Sequence, residues 1–154
     1  MRRLRQSERG AELIEFALTF PLLLLVVLGI VDFGFLFQQY EVITNAAREG
    51  GRIAVLPPYS QTAALMTANA TTRVNQYIAA SFLSGGGTVT TTVTGPTAVA
   101  IGGNCMSTVT VNVTYPHQFI FLGGIATYFG AAFGTSTLRA SSTMRSEVPS
   151  GACP

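Results

Sequence analysis

The chain has 154 residues, enough for one small domain and an anchor but not for two full hydrophobic cores. Apolar residues make up 48% and charged residues only 10%, against roughly a quarter charged in ordinary soluble proteins. Arg2, Arg3, Arg5 and Arg9 face only Glu8 in the first ten residues, so the positive formal charge belongs to this leader and the remainder is slightly acidic. That placement excludes a basic nucleic-acid surface. Arginines set directly before an apolar run read instead as the cytoplasmic flank of an anchor.

Residues 13–37 form that run, interrupted by Glu15 near its start and Asp32 near its end. At about 1.5 Å per residue it spans roughly 37 Å, enough to cross a hydrocarbon core of about 30 Å with some tilt. A cleavable secretory signal is the rival. The run is long for one, no small-x-small cleavage site follows, and helical spacing continues through Tyr40, Ile43 and Ala47. A helix over residues 11–56 is therefore expected, protruding beyond the membrane until Pro57-Pro58 stops it.

Ser60 is a candidate N-cap for a second helix over residues 61–83, with one apolar stripe of Met66, Ala70, Val74, Ile78 and Phe82 beside Tyr77. Ser84 and three glycines end it. Three strands are predicted next. Residues 88–94 put Val89 and Val93 on one face. Residues 107–115 alternate Val109, Val111, Val113 and Tyr115 inward with threonines and Asn112 outward. Residues 137–148 set Leu138, Ala140, Ser142 and Met144 against Arg139, Thr143, Arg145 and Glu147. The fold class is α+β: a long N-terminal transmembrane helix, then one helix on an antiparallel sheet of three or four strands with one wet face.

Residues 117–134 are apolar and aromatic but cut by Gly123, Gly124, Gly130 and Gly134. The glycines and the amphipathic strand that follows disfavour a second membrane crossing. A long connection packed over the helix, on the membrane surface or on a partner is expected instead.

Cys105 and Cys153 are the two cysteines, in no C-x-x-C arrangement. In an exported domain they read as one disulfide, with two separate thiols as the alternative. Antiparallel pairing of the last two strands would bring Cys153 towards Cys105. Catalytic signals are thin. His117 is the single histidine, and no Asp or Glu occurs from Ile53 to Ser146, which leaves no carboxylate pair and no metal cluster there. Neither a cofactor nor a metal is expected.

The informative cluster is Arg9-Gly10-Ala11-Glu12-Leu13-Ile14-Glu15-Phe16. A carboxylate one turn inside an apolar helix is costly in lipid and calls for a partner. Cleavage after Gly10 would give Ala11 a free ammonium for Glu15 to pair with, in the same chain or a neighbouring one. Alternatively Glu15 reaches the headgroups and no cleavage occurs.

Gly10-x-x-x-x-Glu15-Phe16 resembles a prepilin peptidase site. Together with Pro21, the run G-I-V-D-F-G and the segment N-A-A-R-E-G-G-R, it resembles the TadE-like family of minor pilins or pseudopilins; T-L-R-A-S-S-T-M-R-S-E resembles that family's closing strand. The resemblance implies a pilin-like, non-enzymatic component of the tight-adherence (Tad/Flp) pilus machinery. It divides the chain into a cytoplasmic leader, residues 1–10, an assembly helix, residues 11–56, and an extracytoplasmic head, residues 57–154. Gly10 would be the last leader residue, Ala11 the new N-terminus, Glu15 with Phe16 the assembly position, and Pro21 the helix bend. Arg48, Glu49 and Arg52 would mark the exit of the helix from the membrane, and read locally as i,i+3 and i,i+4 support on a wet face. Adjacent Gly50 and Gly51 are expected to weaken the helix there. Implied partners are other pilin and pseudopilin subunits, a membrane prepilin peptidase, the inner-membrane assembly platform and the lipid bilayer. The rival readings are an anchored periplasmic adaptor that never enters a filament, an anchored enzyme, and a pilin or pseudopilin of a related secretion or pilus system.

Overall fold

A computed structural model describes residues 2–56, 62–81, 83, 87–101, 104–131 and 134–146. Helix α1 (Arg2–Val55) carries Pro21 in its interior and runs on through Gly50 and Gly51. Helix α2 (Ala63–Ala79) starts at Thr62, whose hydroxyl accepts the Leu65 N–H at 3.2 Å. Strands β1 (Thr90–Ile101), β2 (Asn104–Gln118) and β3 (Thr135–Ser146) form a three-stranded sheet in the order β1-β2-β3. A short helix, α3 (Phe121–Tyr128), lies between β2 and β3 in the sequence. These elements give the α+β class with three strands.

Several boundaries differ from expectation. The second helix is shorter at both ends, and Thr62 caps it; Ser60, Phe82 and Ser84 lie outside the described residues, as do Pro57, Pro58, Glu147 and Cys153. β1 extends well past Thr94 because a bulge between Thr94 and Thr97 absorbs Gly95 and Pro96, and pairing with β2 then resumes. At Gly95 (φ +126°) a Cβ would stand 2.7 Å from the Thr108 carbonyl oxygen, so only glycine fits. Residues 117–134 are not one long connection: His117 belongs to β2, and α3 occupies the middle.

The chain forms two compact units. One comprises residues 1–35 and 119–134, and the other residues 36–118 and 135–154. In the second unit, Ile43, Ala46, Ala47 and Ala54 of α1 meet Met66, Ala70 and Val74 of α2. The same core holds Val109, Val111, Val113 and Tyr115 of β2, with Leu138 and Ala140 of β3. The strict alternation of β2 puts its valines and Tyr115 on this covered face, each worth about 1.5–3 kcal/mol when buried. The outward threonines pair across strands instead, as Thr110 does with Thr143 at 2.9 Å.

The adjacent glycines serve this core. A Cβ on Gly50 would stand 2.6 Å from Val74 Cγ2 and 3.5 Å from Val111 Cγ1, and one on Gly51 would stand 3.3 Å from Ser142 Oγ. Close approach of α2 and the sheet replaces the lost helix propensity, and α1 continues to Val55. The expected weakening therefore leaves no break in the helix.

In the first unit, Phe33 and Phe119 meet edge to face with ring centres 5.9 Å apart. Phe119 N–H donates to the Gly134 carbonyl at 3.2 Å, joining the two ends of the segment that carries α3.

Candidate functional site

Every side chain from residue 11 to residue 27 is exposed, although this is the most apolar part of the chain. Among the described residues one helix is long and apolar enough to cross a membrane, with a mean hydropathy of 2.5 over its best window and none of that window buried. Leu13, Ile14, Phe16, Leu18, Leu22 and Leu23 are each more than half exposed. So bare a surface on a folded chain marks a membrane or protein interface.

Glu15 is exposed on this surface, with Glu12 beside it. Phe16 stacks on Phe20 at 5.2 Å, and the Thr19 hydroxyl donates to the Glu15 carbonyl. Gly10 and Ala11 lie within α1, and a Cβ on Gly10 would meet nothing within 4 Å. Pro21 withholds one helix hydrogen bond from the turn that follows these residues.

Asp32, the second acid in the apolar run, is buried at 1% exposure. Its Oδ1 accepts the N–H groups of Ile120 and Phe121 at 3.2 and 3.3 Å, and its Oδ2 those of Phe121 and Leu122 at 3.0 and 2.7 Å. Ile120 precedes α3 and offers no side-chain cap of its own, so Asp32 caps that helix from elsewhere in the chain. Sequence reasoning noted the acid without this role. Its signal was a carboxylate where lipid-facing sequence tolerates none.

The triad Arg48, Glu49 and Arg52 divides. Arg48 donates to Asn45 Oδ1 at 3.3 Å on its own helix. Glu49 accepts from Arg52 Nη2 at 2.8 Å and also from Arg73 of α2 at 2.7 Å. The Arg52 hydrogen bond, then that of Arg73, holds the Glu49 carboxyl down at about 2. Arg73 was not visible as a partner from spacing, because it comes from another element. His117 Nδ1 lies 2.6 Å from Gln39 Oε1, both side chains buried, which gives the single histidine a role within the core of the second unit.

Cys105 pairs across the sheet with Ala100 near the start of β2, and Ser107 pairs with Ser146 at the end of β3. The antiparallel register required by a Cys105–Cys153 link is thus present, while Cys153 itself lies outside the described residues. Among the described residues no group of three His, Cys, Asp or Glu is placed to hold a metal ion. Among the described residues, one open surface depression is lined by Tyr40, Glu41, Thr44, Asn45 and Arg48 along a single helix.

A bare apolar helix, followed in the sequence by a small α+β unit, fits a membrane-anchored protein. The family model described as TadE-like protein matches residues 10–52, so this stretch of α1 is similar to that family. The match takes in Gly10, Glu15, Pro21, Asp32 and the Arg48–Arg52 segment and ends at Arg52. The closing strand that also resembles the family lies outside it. No curated protein and no solved structure matched the chain.

Proposed function

We propose that this chain is a minor pilin or pseudopilin of the Tad (Flp) pilus, a type IV-like system, held in the inner membrane until assembly and needed for piliation and adherence. One observation carries the reading: residues 11–27 are wholly exposed, and Glu15 is placed among them one turn from Ala11. Packing such a surface against like helices supplies affinity through close van der Waals contact, since the lipid it leaves is as apolar as the helices it joins. A carboxylate in it supplies register, because in an apolar contact it is tolerated only opposite a positive charge.

In this proposal residues 1–10 are a cytoplasmic leader, and a membrane prepilin peptidase cuts between Gly10 and Ala11. The new Ala11 ammonium then stands within reach of Glu15 of the same or an adjacent subunit. The site lies within helix α1, so cutting requires local unwinding. Gly10 lowers that cost by about 1 kcal/mol relative to alanine. Pro21 bends the helix, Arg48, Glu49 and Arg52 lie where it leaves the bilayer, and residues 57–154 form the extracytoplasmic head. Partners are other pilin and pseudopilin subunits and the inner-membrane assembly platform. The test is the mass of the protein recovered from cells: loss of residues 1–10 is expected, and an intact leader would remove the basis of the mechanism.

A second reading, an inner-membrane-anchored adaptor that stays out of the filament, has its own support. α3 lies against α1 at Asp32 and close to Gly29, where a Cβ would come within 3.9 Å of Leu122, and so covers part of a surface that helix packing would use. Recovery in sheared pili favours the first reading, and restriction to the inner membrane the second.

A further inference from the structure

Asp32 and the N-terminus of α3 are each costly in lipid and satisfied by the other. A carboxyl group inside an apolar span must find a partner, and the first N–H groups of a helix cannot be left unbonded where water is absent. Here the carboxyl oxygens take the N–H groups of Ile120, Phe121 and Leu122.

Depth places this exchange. Asp32 and Gly29 precede the end of the apolar run at Phe37 by five and eight residues, or roughly 7 and 12 Å along the helix axis. Both meet the start of α3: Asp32 through its hydrogen bonds, and Gly29 beside Leu122. The start of α3 is therefore level with hydrocarbon. The rest of α3 suits that medium. No Asp, Glu, Lys or Arg occurs between Arg73 and Arg139. The Thr127 hydroxyl donates to the Gly123 and Gly124 carbonyls of its own helix at 2.9 and 2.8 Å. Tyr128 and Phe129 are 86% and 78% exposed, and Ile120 is half exposed. Aromatic side chains so bared are those that settle at a membrane interface.

We propose that residues 119–131 are a second lipid-contacting element, dipping into the extracytoplasmic leaflet beside α1 and pinned there by Asp32. The occupant of the bare face of α3 is lipid, continuous with the lipid around the anchor. This rests on α1 spanning the membrane, so the test must report on the anchor separately.

The chain contains no tryptophan, so a single substitution provides a clean probe. Phe129→Trp and, separately, Leu24→Trp would be placed in the full chain and reconstituted in phosphatidylethanolamine–phosphatidylglycerol vesicles. Acyl-chain nitroxide lipids quench an indole in lipid, and aqueous iodide quenches one in water. Both probes should emit to the blue, lose most of their intensity to the nitroxide lipids and resist iodide, the position-129 probe more strongly quenched by shallow labels than by deep ones. A position-129 probe open to iodide while the position-24 probe is lipid-quenched would overturn the proposal. A position-129 probe shielded from both quenchers would also overturn it, by showing that protein covers the face. Failure of lipid quenching at both positions would sink the anchor reading as well. Adding Asp32→Ala to Phe129→Trp should shift the probe towards iodide, and Asp32→Asn, which keeps one acceptor oxygen, should restore part of the lipid quenching. An unchanged probe in Asp32→Ala would remove Asp32 from the proposal.

Discussion

Glu49 of α1 and Arg73 of α2 are joined at 2.7 Å across 24 positions of sequence, and Arg52 completes a three-membered ion cluster on the same carboxylate. The contact ties the second helix to the first beside the core glycines. With both arginines about half exposed to solvent, the contribution is a small one. Glu49→Gln should lower the melting temperature by a few degrees in detergent-solubilised protein. Because folding depresses this carboxyl from 4.5 to about 2, its contribution is present above pH 4.5 and is lost as pH falls towards 2. In the variant, the loss of stability across that window should be shallower; an identical acid profile would show that the cluster contributes nothing.

Gly50 to Ala should destabilise, although it improves helix propensity by about 1 kcal/mol. The added methyl would stand 2.6 Å from Val74 Cγ2, inside van der Waals contact, and overpacking of this kind costs about 1–3 kcal/mol. Gly34→Ala, whose methyl would meet nothing within 4 Å, is the control, expected to be neutral or mildly stabilising. Denaturation of the two variants side by side would decide the matter, and equal stabilities would mean that the core gives way at Val74.

Gln39→Ala should cost about 1–3 kcal/mol by leaving the buried His117 imidazole without the oxygen 2.6 Å from its Nδ1. The imidazole proton resonances offer a direct check, since the Nδ1–H signal should move or vanish in the variant. Wild-type stability and an unmoved signal would mean that the pair contributes little.

Glu15→Ala removes a carboxylate from the exposed surface of α1, so membrane insertion and the folded head should persist while filament assembly fails. Membrane fractionation and electron microscopy of shed filaments read the two effects separately. Normal piliation in this variant would remove Glu15 from the assembly mechanism.

The proposed Cys105–Cys153 link closes a loop of 49 residues, worth about 4 kcal/mol in the chain-entropy model. Alkylation of the unfolded, unreduced protein should add no adduct, and reduction should expose two reactive thiols. Two adducts before reduction would rule the link out.

Much of this was legible in the sequence because it rests on period. The alternation Val109, Val111, Val113, Tyr115 put the core face of β2 beyond doubt, and the stripe Met66, Ala70, Val74 did the same for α2. What escaped was set by contacts between distant positions. Thr62 displaced Ser60 as the cap because helix starts depend on local backbone geometry that hydroxyl-rich sequence leaves ambiguous. The four glycines of residues 117–134 argued against a second membrane crossing and for a long connection, yet the short helix α3 forms there, its first turn satisfied by Asp32 from 88 positions away. Gly50 and Gly51 read as weak points until their neighbours were in place.

The interruption in β1 has a further consequence under the proposed pilin role, in which copies of this chain are crowded together. β1 is a terminal strand of its sheet, and none of residues 90–100 is buried. A terminal strand is a template on which another chain can add by backbone pairing. Pro96 removes a donor from it, and the bulge between Thr94 and Thr97 shifts its register midway. An incoming strand could therefore zip along only one half at a time. Crowding then favours the ordered joining of helices over the runaway growth of sheets.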